Sequence, residues 1–422
     1  MKSSISKENL LIYINGTPTA DSVFRSHIAS YLQNLHDRGG VGVDYFLSLT
    51  EDADSDSGIG QANREIIRGI PGLQSEFIRQ PSFSKGFGPL EASLKKALSR
   101  LCPKNRRIIF HANSYLTGYL LLRILGKGAM HRVFVDFKGI LPQECLYYDS
   151  CGLPMRFIRY LVARRMEKYI CRHADGIAVV SQAFKDWVVR NRGFDPERIW
   201  VVPSCVDAKI FKYDAQARRK IREALGLGDA PVAIYSGSMR KWQIPERMFA
   251  LFTAMYERDR NVRFLFLTND GHEALRHFKA SRIPEENFHL LSAGGRELAE
   301  YLSAGDVGIL LRKNDIVNAV ASPTKFGEYL RCGLGVIATD GIGDFSGLIR
   351  RKNFGFTMAS RFDRKSFNEA ASWFLNNFKE LRKGAEERSG WAEEELGWGK
   401  NIETLIRAYS ILASSFEKKS WE

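Results

Sequence analysis

The sequence predicts an α/β protein with two doubly wound domains, and three observations lead to this prediction. The length of 422 residues exceeds one ordinary core and suggests two domains, or three. Short apolar runs alternate with amphipathic stretches throughout, which is typical of parallel sheets covered by helices on both faces. The series pauses near residues 206–230, where "CVDAKIFKYDAQARRKIREALGLGDAP" indicates a hinge and a charged helix.

Each apolar run is a candidate buried strand. In the first half of the chain the predicted strands are 10–15, 43–49, 107–112, 132–137, 176–181 and 199–204. In the second half they are 232–237, 263–268, 288–293, 307–312 and 335–340. Ligands of such folds bind beyond the carboxyl ends of the strands. Two doubly wound domains facing a cleft would therefore place the chemistry at strand ends.

Composition and charge narrow the class of protein. A hydrophobic fraction of 44% and a charged fraction of 26% are ordinary for a soluble globular protein. The net charge of +14 favours an anionic partner, either nucleic acid, a phosphorylated metabolite or an anionic membrane, although a solvated basic surface is an equal alternative. No nucleic-acid-binding motif accompanies the charge, so we expect no nucleic-acid partner.

Cysteine spacing and hydropathy indicate in which cellular compartment the protein is expected. The six cysteines include no CxxC pair and have no zinc-ligand spacing, which favours reduced thiols in a cytoplasmic protein. The N-terminus lacks the apolar stretch of a signal peptide. The longest apolar run, "YLTGYLLLRIL", is about half of the roughly 20 residues that span a bilayer. We expect a soluble protein that touches a membrane surface at most.

The stretch "SPTKFGEYLRCG" suits a nucleotide. Ser322 is a good N-cap, Pro323 suits the first helical position and Gly333 can end the helix, which predicts a helix over 323–331. Its free N–H groups and Lys325 suit a phosphate. Glu328 lies on the same face, about 7 Å along the axis, where a ribose diol would lie. The alternative is a capped helix with a surface lysine and glutamate.

A second turn carries similar chemistry. "YSGSMRKWQ" follows a predicted strand and brings Gly237, Arg240 and Lys241 to a strand-to-helix turn. Glycine allows close backbone approach, and two cations suit a diphosphate. The alternative is a turn whose cations face solvent.

These motifs resemble the GT-B-fold retaining glycosyltransferases of family 4, over nearly the whole chain. "ELAEYLSAGDVGILL" and "SPTKFGEYLRCGLGVIAT" resemble the segment before the donor loop and the donor loop with its helix. "FHANSY" and "VFVDFKGILPQE" resemble paired segments at acceptor-side strand ends, and "LGWGKNIETLIRAYSIL" resembles the C-terminal helix. The resemblance implies an acceptor-side Rossmann-like domain over 1–205, a donor domain over 206–395 and a helix over 396–422 that packs back on the first domain.

The resemblance also implies a nucleoside-diphosphate sugar as donor, with no metal or other cofactor. The residues that it places on the diphosphate are Gly237, Arg240, Lys241, Ser322, Pro323, Thr324 and Lys325. It places Glu328 on the ribose. Arg240 and Lys241 would act in catalysis by stabilising the leaving diphosphate.

In the N-terminal half the candidates lie at strand ends. His111 resembles a histidine near the reacting sugar, although a lone histidine there is more often structural. The acceptor-side candidates are Asn15, Gly16, Arg25, Asp136 and Lys138, and Glu144 is a further possible hydroxyl contact with a solvent-facing alternative.

Two positions depart from the family pattern. Val320 stands where a glutamate is common, eight residues before Glu328, and Gly335 stands where proline is usual. The first departure concerns the contacts to the donor sugar, and the second concerns the entry into a strand.

We therefore expect a glycosyltransferase of the hexosyltransferase type, acting in cell-surface polysaccharide or glycoconjugate assembly. Its acceptor would be a glycan or a lipid-linked acceptor, at the inner membrane face. The basic segment 156–172 carries apolar residues on one face, namely Ile158, Leu161, Val162, Met166, Tyr169 and Ile170. It suits an anionic membrane, or alternatively a helix packed on the sheet. The alternatives in function are a nucleotide-sugar epimerase of the same fold and a non-catalytic basic binding protein.

Overall fold

The computed structural model describes residues 9–21, 24–38, 42–51, 56–79, 86–103 and 105–416. The chain divides into two compact units, one formed by Met1–Pro203 with Trp398–Glu422 and the other by Ser204–Gly397. The boundaries expected from the sequence lie after residues 205 and 395, two residues from these. No helix in the described ranges is long and apolar enough to cross a membrane.

The first unit contains a parallel sheet in the order β3-β2-β1-β4-β5-β6-β7. Its strands are β1 (Asn9–Asn15), β2 (Tyr45–Glu51), β3 (Gln74–Arg79), β4 (Arg107–Asn113), β5 (His131–Phe137), β6 (Gly176–Val179) and β7 (Ile199–Val201). Its helices are α1 (Ser30–Asp37), α2 (Gly58–Arg68), α3 (Gly88–Leu101), α4 (Tyr115–Leu125), α5 (Leu141–Tyr147), α6 (Leu153–His173) and α7 (Gln182–Arg192), and a π-helical turn, Arg25–Ala29, precedes α1.

The second unit contains a parallel sheet in the order β10-β9-β8-β11-β12-β13. Its strands are β8 (Val232–Ser236), β9 (Arg263–Leu267), β10 (Phe288–Leu291), β11 (Val307–Leu310), β12 (Gly335–Thr339) and β13 (Gly355–Met358). Its helices are α8 (Ala215–Ala224), α9 (Pro245–Arg258), α10 (Gly271–Ala280), α11 (Gly295–Ser303), α12 (Ile316–Ala319), α13 (Thr324–Arg331), α14 (Phe345–Lys352), α15 (Arg364–Lys383) and α16 (Ala385–Leu396).

The last described helix, α17 (Trp398–Ser414), belongs to the first unit. Its Tyr409 hydroxyl hydrogen-bonds to the Tyr31 hydroxyl of α1. Just beyond the helix, the Ser415 hydroxyl and carbonyl accept hydrogen bonds from Arg132 of β5. Polar contacts inside a buried aromatic layer therefore fix this helix on the sheet.

All eleven predicted strands are present, and the alternation of apolar runs and helices is confirmed. Two strands escaped prediction, β3 and β13, and both lie at a sheet edge. Most of their residues are only partly buried, and β3 reads "QSEFIR". An edge strand pairs on one side only and needs no continuous apolar run, so the pattern that marks a central parallel strand is missing.

Candidate functional site

The carboxyl edge of the second sheet brings β8, β11 and β12 together. In β11, Gly308 pairs with Ile234 of β8 and Leu310 pairs with Ala338 of β12, so the three parallel strands run side by side to this edge. Helix α13 is fixed over this edge by Tyr329, whose hydroxyl accepts hydrogen bonds from the Ser236 amide at 3.0 Å and the Ser236 hydroxyl at 3.3 Å. The helix therefore has a defined position relative to the end of β8.

The helix begins one residue later than the sequence predicted. Pro323 is the N-cap with an extended backbone, and Thr324 is the first helical residue. Ser322 does not cap the helix, because its hydroxyl accepts a hydrogen bond from the Ser204 amide at 3.0 Å. The prediction for Ser322 as N-cap is therefore wrong. The prediction for Gly333 is confirmed, since it follows the helix with a φ of +84°.

Lys325 is buried beside the end of β8. Lys325 is 9% exposed. Its Nζ donates a hydrogen bond to the Tyr235 hydroxyl at 3.1 Å and lies 4.4 Å from the centre of the Tyr235 ring. A β-carbon built on Gly237 would lie 2.4 Å from Nζ, so the lysine fills the space that glycine leaves open. Burial and the nearby charge of Arg312 hold the pKa of Lys325 well below its ordinary value, although Glu328 opposes them.

Arg312, which the sequence analysis did not propose, follows β11 at the same edge. Its amide donates to the Thr339 hydroxyl at 2.9 Å, and that hydroxyl donates back to the Arg312 carbonyl at 3.0 Å. These two bonds clamp Arg312 to the end of β12. Burial raises the pKa of Tyr235, and the charge of Arg312 opposes this rise. Two basic side chains thus lie close to each other, and a bound anion would favour the charged form of Lys325.

The turn after β8 carries the two predicted diphosphate cations. The Asp270 carboxylate accepts a hydrogen bond from the Met239 amide at 2.7 Å and fixes the turn. Arg240 and Lys241 are exposed, and Arg240 lies over the Trp242 ring at 5.2 Å. Within the described residues neither cation makes an ion pair. Their charges are therefore available to a ligand.

Glu328 lies one helical turn after Lys325. Burial raises the pKa of its carboxyl to about 7, and Lys325 opposes this rise. No hydrogen bond to the Glu328 carboxylate occurs among the described residues. A carboxylate in this position can accept hydrogen bonds from ligand hydroxyls, and binding them would favour its ionised form.

The loop before α13 explains the departure at Val320. Val320 ends the short helix α12 and is 1% exposed, so its side chain packs in the core. The next residues meet the glycine-rich turn 341–343, where the Gly343 amide donates to the Asn318 carbonyl at 3.1 Å. A β-carbon on Gly343 would lie 2.0 Å from the Ala321 carbonyl oxygen. The backbone, rather than a carboxylate at position 320, shapes this part of the loop.

In the first unit, Asn15 and Gly16 connect strand ends. The Asn15 amide group donates to the Ser48 hydroxyl at 3.0 Å, and its oxygen accepts from Asn113 at 3.2 Å. Asn15 is fully buried. A β-carbon on Gly16 would lie 2.3 Å from the hydroxyl of Ser114, the N-cap of α4. These two acceptor-side candidates therefore hold β1, β2, β4 and α4 together.

His111, Asp136 and Lys138 form a connected group. His111 is 1% exposed, with Nδ1 hydrogen-bonded to the Tyr409 hydroxyl and Nε2 at 3.8 Å from the Asp136 carboxylate. Lys138 Nζ lies 2.5 Å from the same carboxylate and is exposed. Burial raises the pKa of Asp136, but Lys138 and His111 outweigh it and lower the pKa to about 2. Burial lowers the pKa of His111, so the ring is neutral.

The remaining candidates lie in the π-helical turn before α1 and in α5. Arg25 is exposed at the start of the π-helical turn. In the same turn, His27, which the sequence analysis did not propose, has a buried Nε2 and a pKa lowered to about 4 by burial and by Lys138. Glu144 Oε1 lies where a β-carbon on Gly139 would be, and burial raises its pKa to about 7. The structure thus gathers titratable groups at the ends of β4 and β5.

Among the described residues, no three His, Cys, Asp or Glu side chains converge as metal ligands. The predicted site residues of the second unit supply cations, N–H groups and one carboxylate. This combination suits a diphosphate and a diol, while the first unit offers an ion-paired carboxylate at its strand ends.

The family comparison matches the first unit. Residues 26–210 match the family model described as Glycosyltransferase Family 4. No curated protein matches the chain.

Solved structures match almost the whole chain. Sucrose-phosphate synthase from Thermosynechococcus elongatus has a TM-score of 0.72 at 15% identity, covering 97% of this chain and 100% of its own. HepE from Anabaena, in complex with UDP and glucose, has a TM-score of 0.69 at 13% identity, covering 97% and 100%. WaaG, a glycosyltransferase involved in lipopolysaccharide biosynthesis, has a TM-score of 0.63 at 12% identity, covering 94% and 98%.

These matches define the class of protein. The fold is GT-B, with two Rossmann-like units, and the predicted fold class is confirmed. Residues 26–210 form a domain of Glycosyltransferase Family 4, which confirms the resemblance found in the sequence. Residues 26–210 thus carry a glycosyltransferase-family domain, on a chain that has the GT-B fold.

Proposed function

We propose that this protein transfers a hexose from a nucleoside-diphosphate sugar to a hydroxyl group of a glycan or lipid-linked glycan, with retention at the anomeric carbon. UDP is the first nucleotide to test, because the similar HepE was solved with UDP and with UDP-glucose. The single observation that carries the proposal is the group of cations at the carboxyl edge of the second sheet. Lys325 and Arg312 lie close together. Arg240 and Lys241 are exposed and follow Gly237 by three and four residues in the same turn.

The proposed reaction breaks the bond between the anomeric carbon and the diphosphate oxygen. The leaving diphosphate gains negative charge, which Lys325, Arg240 and Lys241 stabilise. The acceptor oxygen forms the new bond to the anomeric carbon, and its proton passes to a leaving phosphate oxygen. The side chains supply the charge stabilisation, and the proposal includes no metal.

Different residues are proposed to bind the ribose and the acceptor. Glu328 accepts hydrogen bonds from the ribose hydroxyls, one turn along α13 from the lysine. Asp136 and Lys138 contact the acceptor from the first unit, with Asn15, Gly16 and Arg25 shaping the same strand ends. His111 acts next to the sugar only through Nε2, since Nδ1 is occupied by Tyr409.

The proposed location is the cytoplasmic face of a membrane, where a lipid-linked acceptor of cell-surface polysaccharide or glycoconjugate assembly is available. The similar WaaG acts in lipopolysaccharide biosynthesis, which supports an acceptor of this kind.

The experiment is a thermal-shift screen of nucleoside diphosphates and their sugars. A ligand at 100 times its dissociation constant adds about 2.7 kcal/mol to the free energy of unfolding, so a correct donor gives a clear shift. The best donor is then incubated with the enzyme without acceptor. Appearance of an isomer of the nucleotide sugar would replace the transferase with the epimerase, and the absence of any shift would overturn the donor site.

A further inference from the structure

Exposed apolar side chains are concentrated on one part of the first unit. Ten large hydrophobic residues of the described chain are exposed, and six of them lie within fifteen residues of sequence. These six are Tyr147, Leu153, Met155, Phe157, Ile158 and Leu161, and we call them, with the cations of α6, the α5–α6 surface. Single exposed hydrophobic residues are normal on a soluble protein, but a contiguous group marks a contact with something else.

Helix α6 is packed along only its second half. Its buried residues are Ala163, Met166, Glu167 and Ile170, and all belong to that half. Ile158 and Leu161, which the sequence groups on one face with Met166 and Ile170, are exposed, whereas Met166 and Ile170 are buried. The helix is 21 residues long, or about 31 Å, so its first half presents an apolar end of roughly 15 Å.

Three exposed apolar residues of α6 begin a stripe along one face of the helix. Leu153, Phe157 and Leu161 follow each other at four-residue spacing, which places them on one face. The stripe continues in the second half with exposed cations, at Arg164, Arg165, Lys168 and Arg172. The face is therefore apolar at the start of the helix and basic at its end.

Few carboxylates offset these cations. Glu167 is the one acidic residue of α6, and it is buried in an ion pair with Arg192. Asp149, before the helix, pairs with Arg159 at 2.5 Å. Within the described residues, the four cations of the stripe make no ion pair with a carboxylate. An apolar end joined to an uncompensated basic end has the chemistry of a peripheral membrane helix.

We propose that the α5–α6 surface docks on an anionic lipid bilayer. Leu153, Phe157 and Leu161 enter the boundary between headgroups and acyl chains, and the cations of the stripe contact lipid phosphates. Charge complementarity favours this partner over a second copy of the chain, because that copy would bring the same basic stripe and a net charge of +14. Nucleic acid would satisfy the cations but would leave the apolar end in water.

The surface adjoins the acceptor-side group within the same unit. Helix α5 begins at Leu141, three residues after Lys138, and α5 packs against α6. Docking through this surface would hold the ends of β4 and β5 near the bilayer. This consequence, which rests on the proposed function, would present a lipid-linked acceptor to Asp136 and Lys138.

The test measures binding of the full-length protein to sedimented vesicles, either of phosphatidylcholine alone or of phosphatidylcholine mixed with phosphatidylglycerol. We expect retention on the anionic vesicles and little on the neutral ones. Arg164→Glu/Arg165→Glu should reduce the partition coefficient at least about tenfold, since each cation near an anionic surface contributes about 1 kcal/mol. Arg351→Glu/Lys352→Glu, an exposed pair on α14, changes the net charge equally and should bind as the wild type does.

The apolar end is tested with Phe157→Ser/Leu161→Ser. We expect the partition coefficient on anionic vesicles to fall at least tenfold. Leu275→Ser, which changes an exposed residue on α10, is the control and should leave the partition coefficient unchanged. Melting temperature and UDP calorimetry accompany every variant. A variant that melts normally, binds UDP and still sediments like the wild type would overturn the docking surface but leave the donor site intact. A wild type that dimerises through these residues and ignores vesicles would also overturn it.

Discussion

The ammonium group of Lys325 lies against the backbone of Gly237, so closely that a β-carbon at Gly237 would lie 2.4 Å from both Nζ and Cε. Gly237 has a φ of +123°, which side-chain-bearing residues rarely adopt. Gly237 directly follows β8 and Lys325 belongs to α13, 88 positions later. The turn that is assigned to the diphosphate and the helix that is assigned to phosphate and ribose therefore meet at this contact.

Replacing Gly237 with alanine should displace Lys325 and weaken UDP binding. We expect at least a tenfold loss of affinity, about 1.4 kcal/mol, measured by calorimetry. Gly226→Ala is the matched control, because Gly226 also has a positive φ, +61°, but has no atom within 4 Å of the added carbon. Both variants should lose stability through backbone strain, by roughly 1–2 kcal/mol. Equal UDP affinity in the two variants would contradict the role of the Lys325 contact.

UDP binding should take up a proton at Lys325. The pKa of this lysine lies well below its ordinary 10.5 through burial and Arg312, and a bound diphosphate would raise it again by favouring the charged form. Glu328 acts in the same direction as the ligand. We therefore expect the affinity for UDP to fall as the pH rises, and this fall should begin well below pH 10.5. Calorimetry above pH 7 in buffers of different ionisation enthalpy measures the proton directly.

Arg312→Met provides the control for this proton uptake. Loss of the neighbouring charge should raise the pKa of Lys325, so the fall in affinity should move to higher pH. The same variant should bind UDP more weakly at the low-pH plateau, because one cation is missing. Binding heats that do not depend on the buffer, in both proteins, would show that Lys325 is already charged in the empty site.

Glu328→Gln should increase stability while weakening the binding of UDP. Burial raises the pKa of Glu328 from 4.5 to about 7, so folding favours the protonated form. Below pH 4.5 this preference costs nothing, and between pH 4.5 and 7 the wild type loses stability relative to the glutamine variant. We expect the difference in melting temperature between the variant and the wild type to appear as the pH rises through this window. A difference in melting temperature that does not depend on pH would contradict a raised pKa of the Glu328 carboxyl in the folded protein.

The central strands were predictable from the sequence because burial on both faces leaves a continuous apolar run. Edge strands such as β3 lack that run and were missed. In the donor-side site, Gly237, Lys325 and Glu328 were predictable because each is placed by local turn or helix geometry. Arg312 was missed because the prediction counted it as the last residue of the strand 307–312. Its closeness to Lys325 depends on the strand order β8-β11-β12, which local sequence does not specify.

The environment of His111 was not predictable for a related reason. Its position at the end of β4 agrees with the sequence, but the hydrogen bond to Tyr409 comes from a residue 298 positions later. Likewise, the sequence grouped the apolar residues of α6 on one face and left open whether that face meets a membrane or the sheet. Which half of that helix packs depends on α4 and α5 rather than on the helix itself.

Removing the exposed cations of the turn should affect binding but not folding. Arg240 and Lys241 make no ion pair among the described residues, so Arg240→Ala/Lys241→Ala should leave the melting temperature within about 1 °C. Charge-assisted hydrogen bonds to phosphate contribute roughly 1.5–3 kcal/mol, so UDP affinity should fall at least tenfold. Lys279→Ala/Arg282→Ala removes two other exposed cations and should not change the affinity. Unchanged binding in the first variant would remove both residues from the donor site.

Asp136→Asn should separate stability from donor binding. Lys138 and His111 outweigh the effect of burial and hold the pKa of Asp136 at about 2, below its ordinary 3.8. The carboxylate therefore adds stability above pH 3.8 that is lost as the pH falls through 2, on the order of 2 kcal/mol. Urea unfolding between pH 2 and 6 should show the wild type losing this advantage over the asparagine variant.

The same variant tests the acceptor side. Glu65→Gln is the control for a carboxylate in an exposed ion pair, with Arg68, and should cost less than 1 kcal/mol. Well below the melting temperature, Asp136→Asn should bind UDP as the wild type does, since the proposed donor site lies wholly in the other unit. Its kcat for transfer should fall at least tenfold, because the proposed acceptor contact loses its charge. Normal transfer would leave Asp136 with a purely structural role beside His111.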